Sequence, residues 1–463
     1  MSKSSENSNS KKVIIVGGGI AGLSAAYDLS RAGIESILFE KDSRLGGVIE
    51  TQNWDNCVFD TGPDSFISQK PEMLALIKEL GMGDEVIGSN DHQRTTYILK
   101  KGRLIALPDG VMMIVPSKVM PMVKSPLLSW GTKIRMGLEL LRKPNGNSGD
   151  RSVAEFVVDH FGQETLDYLA EPLLSGVYGG DPAKLSIASV LPRFLDMEKK
   201  YGSLGKAVMT APKPPAPPPG TPPASLFRSM KSGMSTVVNA LAKFANVRHD
   251  RVEAIEATNP GYRVRAGGEW INADHVIIAA PSWSAAEILR GMDPAFAAKL
   301  EQIDYSSSLT LSFVYKNSEY DGQRAGFGFL VPAKERQRLA AATFVGTKFP
   351  YRTPDDKIVI RCFLGGAGDE AILSESDEFV VRTAKQELKR ILGVTVAPIH
   401  QIIARWPRSM AQYTVGHAGR IKDIKDTAAK YPGLYLAGNA YEGIGLPDCV
   451  RMGRAAAKSI IAS

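Results

Sequence analysis

An apolar run that breaks into glycines, Val13-Ile14-Ile15-Val16-Gly17-Gly18-Gly19-Ile20-Ala21-Gly22-Leu23, constrains this chain more than any other segment. A strand, a glycine turn and a helix are followed by a second strand at Ser36 to Phe39. An acid, Glu40, stands eighteen residues past Gly22. That spacing is the one a dinucleotide-binding βαβ unit requires. Gly17 permits the tight turn, Gly19 lets the backbone approach a pyrophosphate, and Gly22 lets the helix lie close to the strand. Gly18, Ile20 and Ala21 complete the phosphate-facing turn, and the helix N-terminus offers partial positive charge to the anion. Glu40 is placed to accept hydrogen bonds from an adenosine ribose. A carboxylate there works against a 2′-phosphate, so FAD or NAD fits better than NADP.

Composition narrows the class further. A chain of 463 residues has room for two or three domains, and 44% hydrophobic with 23% charged residues is the balance of a soluble globular protein. Cys57, Cys362 and Cys449 form no CxxC or zinc pattern. Their odd number and wide spacing fit a reducing cytoplasm. The six histidines make no ligand cluster, so no metal is expected. The run Val13 to Tyr27 carries the nucleotide fingerprint and is not read as a signal peptide, and no apolar stretch reaches the roughly 18 to 20 residues of a membrane span. The net charge of +7 is unevenly spread: between Arg94 and Lys143 ten Lys and Arg face only Asp109 and Glu139. Apolar runs at Val111 to Val115 and Val119 to Val123 share that stretch. It reads either as a surface for a membrane or an anionic, greasy substrate, or as a helical subdomain with solvated lysines. No nucleic-acid motif accompanies the charge, and no such partner is expected.

Three later segments separate flavin from nicotinamide. Lys41-Asp42-Ser43-Arg44-Leu45-Gly46-Gly47-Val48, a second glycine turn with Lys41 and Arg44 beyond the ribose acid, resembles the extended FAD motif of the amine oxidase group of flavoproteins. Ala273 to Pro281 reads as a strand returning midway to the nucleotide domain. Leu434 to Asn439 reads as another, followed by Gly443 to Asp448 and a helix from about Cys449 to Ile461. The expected fold class is therefore α/β: a Rossmann-like FAD-binding domain with an inserted mixed β-sheet substrate domain and a helical, membrane-associating domain. The FAD-binding domain is expected at 11–90, 230–300 and 400–463, and the substrate domain at 91–112 and 301–399. The helical domain is expected at 113–205, with a Pro-rich loop at 206–229 centred on the eight prolines of Pro212 to Pro223. A hairpin is expected over 94–108, and Ser152-Val153-Ala154-Glu155 should open a helix as a capping box.

The interior motifs resemble one family. Leu173-Leu174-Ser175-Gly176-Val177-Tyr178-Gly179-Gly180-Asp181-Pro182, Asp60-Thr61-Gly62-Pro63-Asp64-Ser65-Phe66 and Asn439-Ala440-Tyr441-Glu442-Gly443-Ile444-Gly445-Leu446-Pro447-Asp448 are similar to segments of protoporphyrinogen/coproporphyrinogen III oxidases. The likeness runs from about Lys11 to Ala462 and is nearer the bacterial coproporphyrinogen-oxidising branch. It implies non-covalent FAD and the oxidation of a porphyrinogen to a porphyrin in three two-electron steps. Oxygen would be the acceptor and hydrogen peroxide the product, in haem biosynthesis. It also implies a cytoplasmic protein whose helical domain meets a membrane peripherally, and it leaves a homodimer open. By the same likeness Val48, Gly62, Pro63, Asp64, Ser65, Val252, Trp406, Asn439, Ile444, Gly445 and Leu446 contact flavin. Arg94 pairs with a substrate propionate, Lys70 is a second anchor, the Gly176 carbonyl faces the tetrapyrrole, and Leu173 and Phe327 wall its rings; an apolar ring needs apolar walls, and Phe363 is a further candidate on that ground. Some relatives carry an arginine where this chain has Asp64, so that side chain's role does not transfer. No nucleophile or catalytic dyad is required. An amine oxidase or carotenoid desaturase, and a non-catalytic tetrapyrrole-binding flavoprotein, share enough of these motifs to remain alternatives.

Overall fold

A computed structural model describes residues 11–144, 149–210 and 225–463. Its first sheet has five parallel strands in the order Asn246–Arg248, Ser36–Phe39, Val13–Val16, His275–Ile278, Leu434–Leu436. Both returning strands are thus where the sequence places them. Ile15, Val276, Ile277 and Ile278 are completely buried, as strands covered on both faces must be. The chain leaves the sheet centre first one way and then the other, so the order reverses between Val13–Val16 and His275–Ile278. A ligand crevice opens at the carboxyl ends of strands at such a reversal. Two helices, Ile20–Arg31 and Leu446–Ala462, begin at that edge. They lie so close that a Cβ on Gly453 would meet the Ala21 carbonyl oxygen at 2.0 Å.

The second sheet has seven strands in the order His400–Ala411, Tyr305–Lys316, Lys357–Gly365, Leu339–Phe344, Gly328–Leu330, Thr96–Lys100, Arg103–Ala106. It is mixed, because Gly328–Leu330 runs parallel to Thr96–Lys100 while every other neighbour is antiparallel. The expected hairpin is its edge. Helix Asp377–Leu392, capped by Ser376 and ended by Gly393, packs Val380, Ala384 and Leu388 onto a core with Leu311, Phe313 and Ile360. Two expectations are corrected here. Residues 400–411, assigned to the nucleotide domain, pair along their length with Tyr305–Lys316 and belong to this sheet. The loop expected at 206–229 is narrower, since Leu204–Thr210 is helical and Phe227–Met230 is a strand between Phe66–Ile67 and Val86–Gly88. The proline run itself lies outside the described residues.

Residues 113–205 are mainly helical, as expected. Ser152 and Glu155 form both bonds of the capping box: the Ser152 hydroxyl accepts from the Glu155 N–H at 3.1 Å, and the Glu155 carboxylate accepts from the Ser152 N–H at 2.9 Å. No helix among the described residues is long and apolar enough to cross a membrane.

Candidate cofactor and substrate site

The glycine turn has the geometry its residues imply. Gly17 sits at φ +103°, and a Cβ there would lie 2.7 Å from the Ala279 carbonyl oxygen at the end of the neighbouring strand. A Cβ on Gly22 would lie 2.0 Å from the Gly17 oxygen. Gly19 differs: nothing stands within 4 Å of its Cβ position, so the turn leaves open space at that point. The helix it begins has no side-chain cap, although Ile20, Ala21 and Gly22 are buried. Helix Leu446–Ala462 likewise starts at Gly445 with no side-chain cap and with Leu446 buried. Buried, uncapped helix starts leave orphan N–H donors. Two of them at one sheet edge, beside the open face of Gly19, fit a dinucleotide whose pyrophosphate takes the first and whose flavin end approaches the second.

Glu40 is buried, and its carboxylate organises the turn as well as facing it. One oxygen accepts from the Gly18 N–H at 2.7 Å and the other from the Asp42 N–H at 3.0 Å. Gly18 therefore keeps no free donor for phosphate, while Glu40 retains lone pairs for a ribose. Lys41 is exposed, and Arg44 directs its guanidinium to the carbonyls of Leu45, Gly47 and Ile49, bracing the second glycine turn. That turn closes on the first: Gly46 donates to the Gly18 carbonyl at 2.8 Å. Val252 is buried at the start of a strand just beyond Asn246–Arg248, whose Arg248 carbonyl accepts from the Glu40 N–H.

The turn Thr61 to Ser65 is fastened from several sides. A Cβ on Gly62 would fall 1.7 Å from the Val48 carbonyl oxygen, which fixes the turn against the second glycine loop. Asp64 is paired with Lys348 Nζ at 2.9 and 3.0 Å and stands 3.7 Å from Arg361. Burial alone would raise its carboxyl pKa; Lys348, Arg361 and the Ser65 hydroxyl outweigh that and hold it well below the usual range. Ser65 is likewise engaged, donating to Asp64. The Thr61 carbonyl accepts three donors from three strands of the large sheet: Thr310 Oγ1 at 2.7 Å, Arg361 Nη2 at 3.0 Å and Trp406 Nε1 at 3.0 Å. Trp406, expected to contact flavin, thus has its indole N–H committed to the turn. Arg361, Thr310 and Lys348 were not anticipated. A charged residue inside the apolar strand run Ile358-Val359-Ile360-Arg361-Cys362-Phe363 was the available signal.

The C-terminal loop is braced in turn by helix His417–Ala428. Tyr413 donates to the Asn439 carbonyl and accepts from the Gly443 N–H, both at 2.8 Å. The His417 ring stacks on Tyr413 at 3.9 Å, and its Nε2 donates to the Tyr441 carbonyl at 3.2 Å. Asn439 reaches the Ser409 carbonyl at 2.9 Å. Cys449 is buried beside Ile444, Gly445 and Leu446, and burial pushes its thiol pKa up to about 12. It therefore stays protonated and poorly suited to forming a thioether. Burial also lowers the His417 pKa to about 4. A histidine depressed from about 6.5 is neutral when folded and protonates on unfolding. Its share of stability is complete above pH 6.5 and drains away as pH falls towards 4, on the order of 3 kcal/mol in total. Urea unfolding of wild type and His417→Gln at pH 7 and pH 4.5 checks this: the substitution should flatten the difference between the two pH values, and an unchanged slope would remove His417 from the account.

On the other side of the large sheet edge, Arg94 ends a short turn immediately before Thr95, whose carbonyl accepts from the Phe327 N–H at 2.9 Å. Phe327 is buried yet belongs to none of the apolar core clusters. Helix Glu171–Tyr178, carrying Leu173 and Gly176, lies against strand Gly328–Leu330, with Leu330 3.5 Å from the Cβ position of Gly176. Phe363 is half-buried, and the Arg361 guanidinium lies 4.7 Å from its ring centre. Gly176 thus lies beside the strand that follows Phe327, and Phe363 lies beside the turn Thr61 to Ser65 through Arg361. Lys70 is not free for an anchoring role: its ammonium meets both oxygens of buried Asp448 at 2.6 and 2.7 Å, across to the first turn of the C-terminal helix. The reason is electrostatic, since a buried carboxylate requires a partner and Lys70 supplies it.

A family model described as flavin containing amine oxidoreductase matches residues 20–461. Coproporphyrinogen III oxidase of Bacillus subtilis is 31% identical over 459 residues, covering 96% of this chain and 97% of its own. Among solved structures, a protein of Exiguobacterium sp. 255-15 provisionally described as a protoporphyrinogen oxidase aligns with a TM-score of 0.86 at 30% identity, over 98% of this chain and 99% of that one. Putrescine oxidase bound to putrescine aligns with a TM-score of 0.69 at 18% identity, over 98% and 99% of the two chains, and shares the fold.

Proposed function

The chain belongs to the flavin containing amine oxidoreductase family, and from that membership we propose that it oxidises a porphyrinogen, coproporphyrinogen III in preference to protoporphyrinogen IX, to the porphyrin. The observation that carries the reading is the pair of buried, uncapped helix starts at one sheet edge, which suit FAD, in a chain aligned over 96% of its length with a relative named coproporphyrinogen III oxidase. FAD supplies a two-electron acceptor, so a six-electron oxidation takes three rounds, with oxygen as the proposed terminal acceptor and hydrogen peroxide as product. Glu40 and the open face of Gly19 would hold its adenosine and pyrophosphate, and Asn439 to Leu446 would meet its flavin end without a covalent link. The flat apolar faces of Phe327, Phe363 and Leu173 suit a tetrapyrrole. Gly176 lies in the last turn of its helix, where carbonyls have no intrahelical donor, so its oxygen is free to accept from a pyrrole N–H in this proposal.

Parallel turnover of the two porphyrinogens, read by porphyrin fluorescence, tests the assignment. Faster oxidation of coproporphyrinogen III supports it; faster oxidation of protoporphyrinogen IX, the activity suggested for the Exiguobacterium protein, favours that second reading. No porphyrin from either substrate returns the amine oxidase reading. Arg94 is exposed and can reach a carboxylate. Arg94→Ala should raise KM several-fold with kcat little changed, a loss below about 1.5 kcal/mol because the site is wet. Equal KM values for variant and wild type would remove it as an anchor.

The same proposal places the helical region on a lipid surface. Trp130, Ile134, Leu138 and Leu141 form one stripe of a surface helix and its end, and all are exposed, Trp130 by 65% and Leu141 by 77%. They lie within the basic stretch of the chain, the combination that favours peripheral contact with anionic lipid. Binding to phosphatidylglycerol-containing vesicles should weaken as salt rises and fall at least about tenfold in Ile134→Glu/Leu141→Glu. Absence of binding at low salt would leave the stripe as ordinary exposed surface.

A further inference from the structure

We infer that the Thr61–Gly62 peptide is a pre-polarised hydrogen-bond donor to the ring system of FAD, and that Thr310, Arg361 and Trp406 are positioning residues that tune the cofactor's reduction potential through it. The inference rests on the flavin and not on the identity of the substrate.

The argument begins with the unusual load on one oxygen. A carbonyl oxygen has two lone pairs, yet the Thr61 oxygen receives three donors at 2.7, 3.0 and 3.0 Å, one of them cationic. Each comes from a different strand of the large sheet: Thr310 from Tyr305–Lys316, Arg361 from Lys357–Gly365 and Trp406 from His400–Ala411. Arg361 also donates to the next carbonyl, Gly62. The same peptide unit carries the Gly62 N–H. That group has no hydrogen-bond acceptor among the described residues, although the neighbouring Thr61 N–H donates to Glu50. Hydrogen bonds accepted by a carbonyl draw electron density from its amide and strengthen the N–H as a donor. An N–H polarised in this way and left unpartnered in a half-buried turn calls for an acceptor from outside the protein.

Position supplies the acceptor. Gly62 rests against the Val48 carbonyl, and the Gly46–Gly47 turn before Val48 lies against Gly19 of the pyrophosphate turn. From the other side Lys70, a few residues on, is tied to Asp448 in the first turn of the C-terminal helix. The turn that carries Gly62 is thus tied towards both uncapped helix starts, between which the flavin end of the cofactor would lie. Asp64 and Lys348 keep Arg361 in place: the carboxylate lies between the two cations, and the guanidinium is buried with its Nε unpartnered. The arrangement is rigid before cofactor arrives, which is how a fixed dipole acts most strongly on a developing charge.

Thr310→Val and Trp406→Phe each remove one donor without stranding a charge, whereas replacing Arg361 would leave Asp64 short of a partner. The two-electron midpoint potential of the bound FAD is measured by dye-coupled reductive titration in the absence of any porphyrinogen. Each variant should bind the reduced cofactor less tightly relative to the oxidised one by up to tenfold, a fall of up to about 30 mV in potential, and the double variant should fall further. Thr310→Ser, which keeps the hydroxyl, should restore the wild-type value. Unchanged potentials in both single variants, or an equal loss of affinity for oxidised and reduced FAD, would overturn the inference. Because no substrate enters the measurement, failure of the porphyrinogen assignment leaves its outcome intact.

Discussion

Replacing Arg352 with methionine is expected to destabilise the holo-protein by about 3 to 5 kcal/mol. Among the described residues Arg352 is the largest wholly enclosed side chain, at 1% exposure, and its ion-pair partner Asp60 is enclosed with it. Its other guanidinium nitrogen donates to the Ser229 hydroxyl at 2.7 Å and the Met230 carbonyl at 2.6 Å. Asp60 in turn accepts from the Thr51 hydroxyl at 2.6 Å and the Met234 N–H at 2.9 Å. Three segments distant in sequence meet at this pair, immediately before the flavin turn. Removing the guanidinium leaves a buried carboxylate without its counter-ion, and that uncompensated charge dominates the loss. The double variant Asp60→Asn/Arg352→Met should therefore recover part of the stability lost by Arg352→Met alone. Urea unfolding followed by flavin fluorescence and far-UV circular dichroism gives both numbers. A single-variant loss below about 1 kcal/mol, or a double variant worse than the sum of its singles, would mean that the pair is not the anchor described.

The second large effect separates two glycines. Gly62→Ala drives a methyl group into the Val48 carbonyl, 1.7 Å from its oxygen and 2.9 Å from its carbon. Both are backbone atoms, so no side chain can turn aside, and the turn itself must move. A loss of about 1 to 3 kcal/mol in apoprotein stability is expected, together with at least a tenfold weaker hold on FAD, about 1.4 kcal/mol. Gly19→Ala meets nothing within 4 Å, and its backbone, at φ −71°, accepts an L residue. It should leave the apoprotein as stable as wild type while weakening FAD binding comparably, because its methyl group enters the space a pyrophosphate needs. Thermal unfolding of the apoproteins beside FAD titration distinguishes the pair. If Gly19→Ala bound FAD normally, the phosphate site would lie elsewhere.

Local patterns were legible in the sequence, and contacts between distant segments were not. The glycine turn, Glu40, the two returning strands and the capping box are each written within a few consecutive residues, and all take the expected form. Strand Leu339–Phe344 escaped notice because Leu-Ala-Ala-Ala-Thr-Phe is rich in alanine and weak in β-branched residues. Residues 400–411 were assigned with the C-terminal stretch to the nucleotide domain, because their sheet is decided by pairing with a segment almost one hundred residues earlier. Lys70 shows the same limit at a single side chain. A lysine near the flavin turn looks available for a substrate carboxylate until the fold brings Asp448 beside it from the other end of the chain. Lys70 therefore drops out as the second anchor for coproporphyrinogen III, which carries four propionates. Arg94 remains, and the preference now rests more on the alignment with coproporphyrinogen III oxidase than on counted charges. Asp64 turned out to be the converse case. A side chain whose role no likeness could supply proved to be the carboxylate that holds Lys348 and Arg361 behind the flavin turn.

Anaerobic mixing of the FAD-loaded protein with coproporphyrinogen III tests the central claim most directly. Flavin absorbance near 450 nm should bleach on mixing, about three flavins being consumed for each porphyrin formed, since six electrons leave the ring two at a time. Admitting oxygen should then restore the flavin band and bring up porphyrin emission with turnover. A flavin that stays oxidised in the presence of both coproporphyrinogen III and protoporphyrinogen IX, yet is reduced by dithionite, would contradict the account and leave a flavoprotein that holds its cofactor without oxidising porphyrinogens.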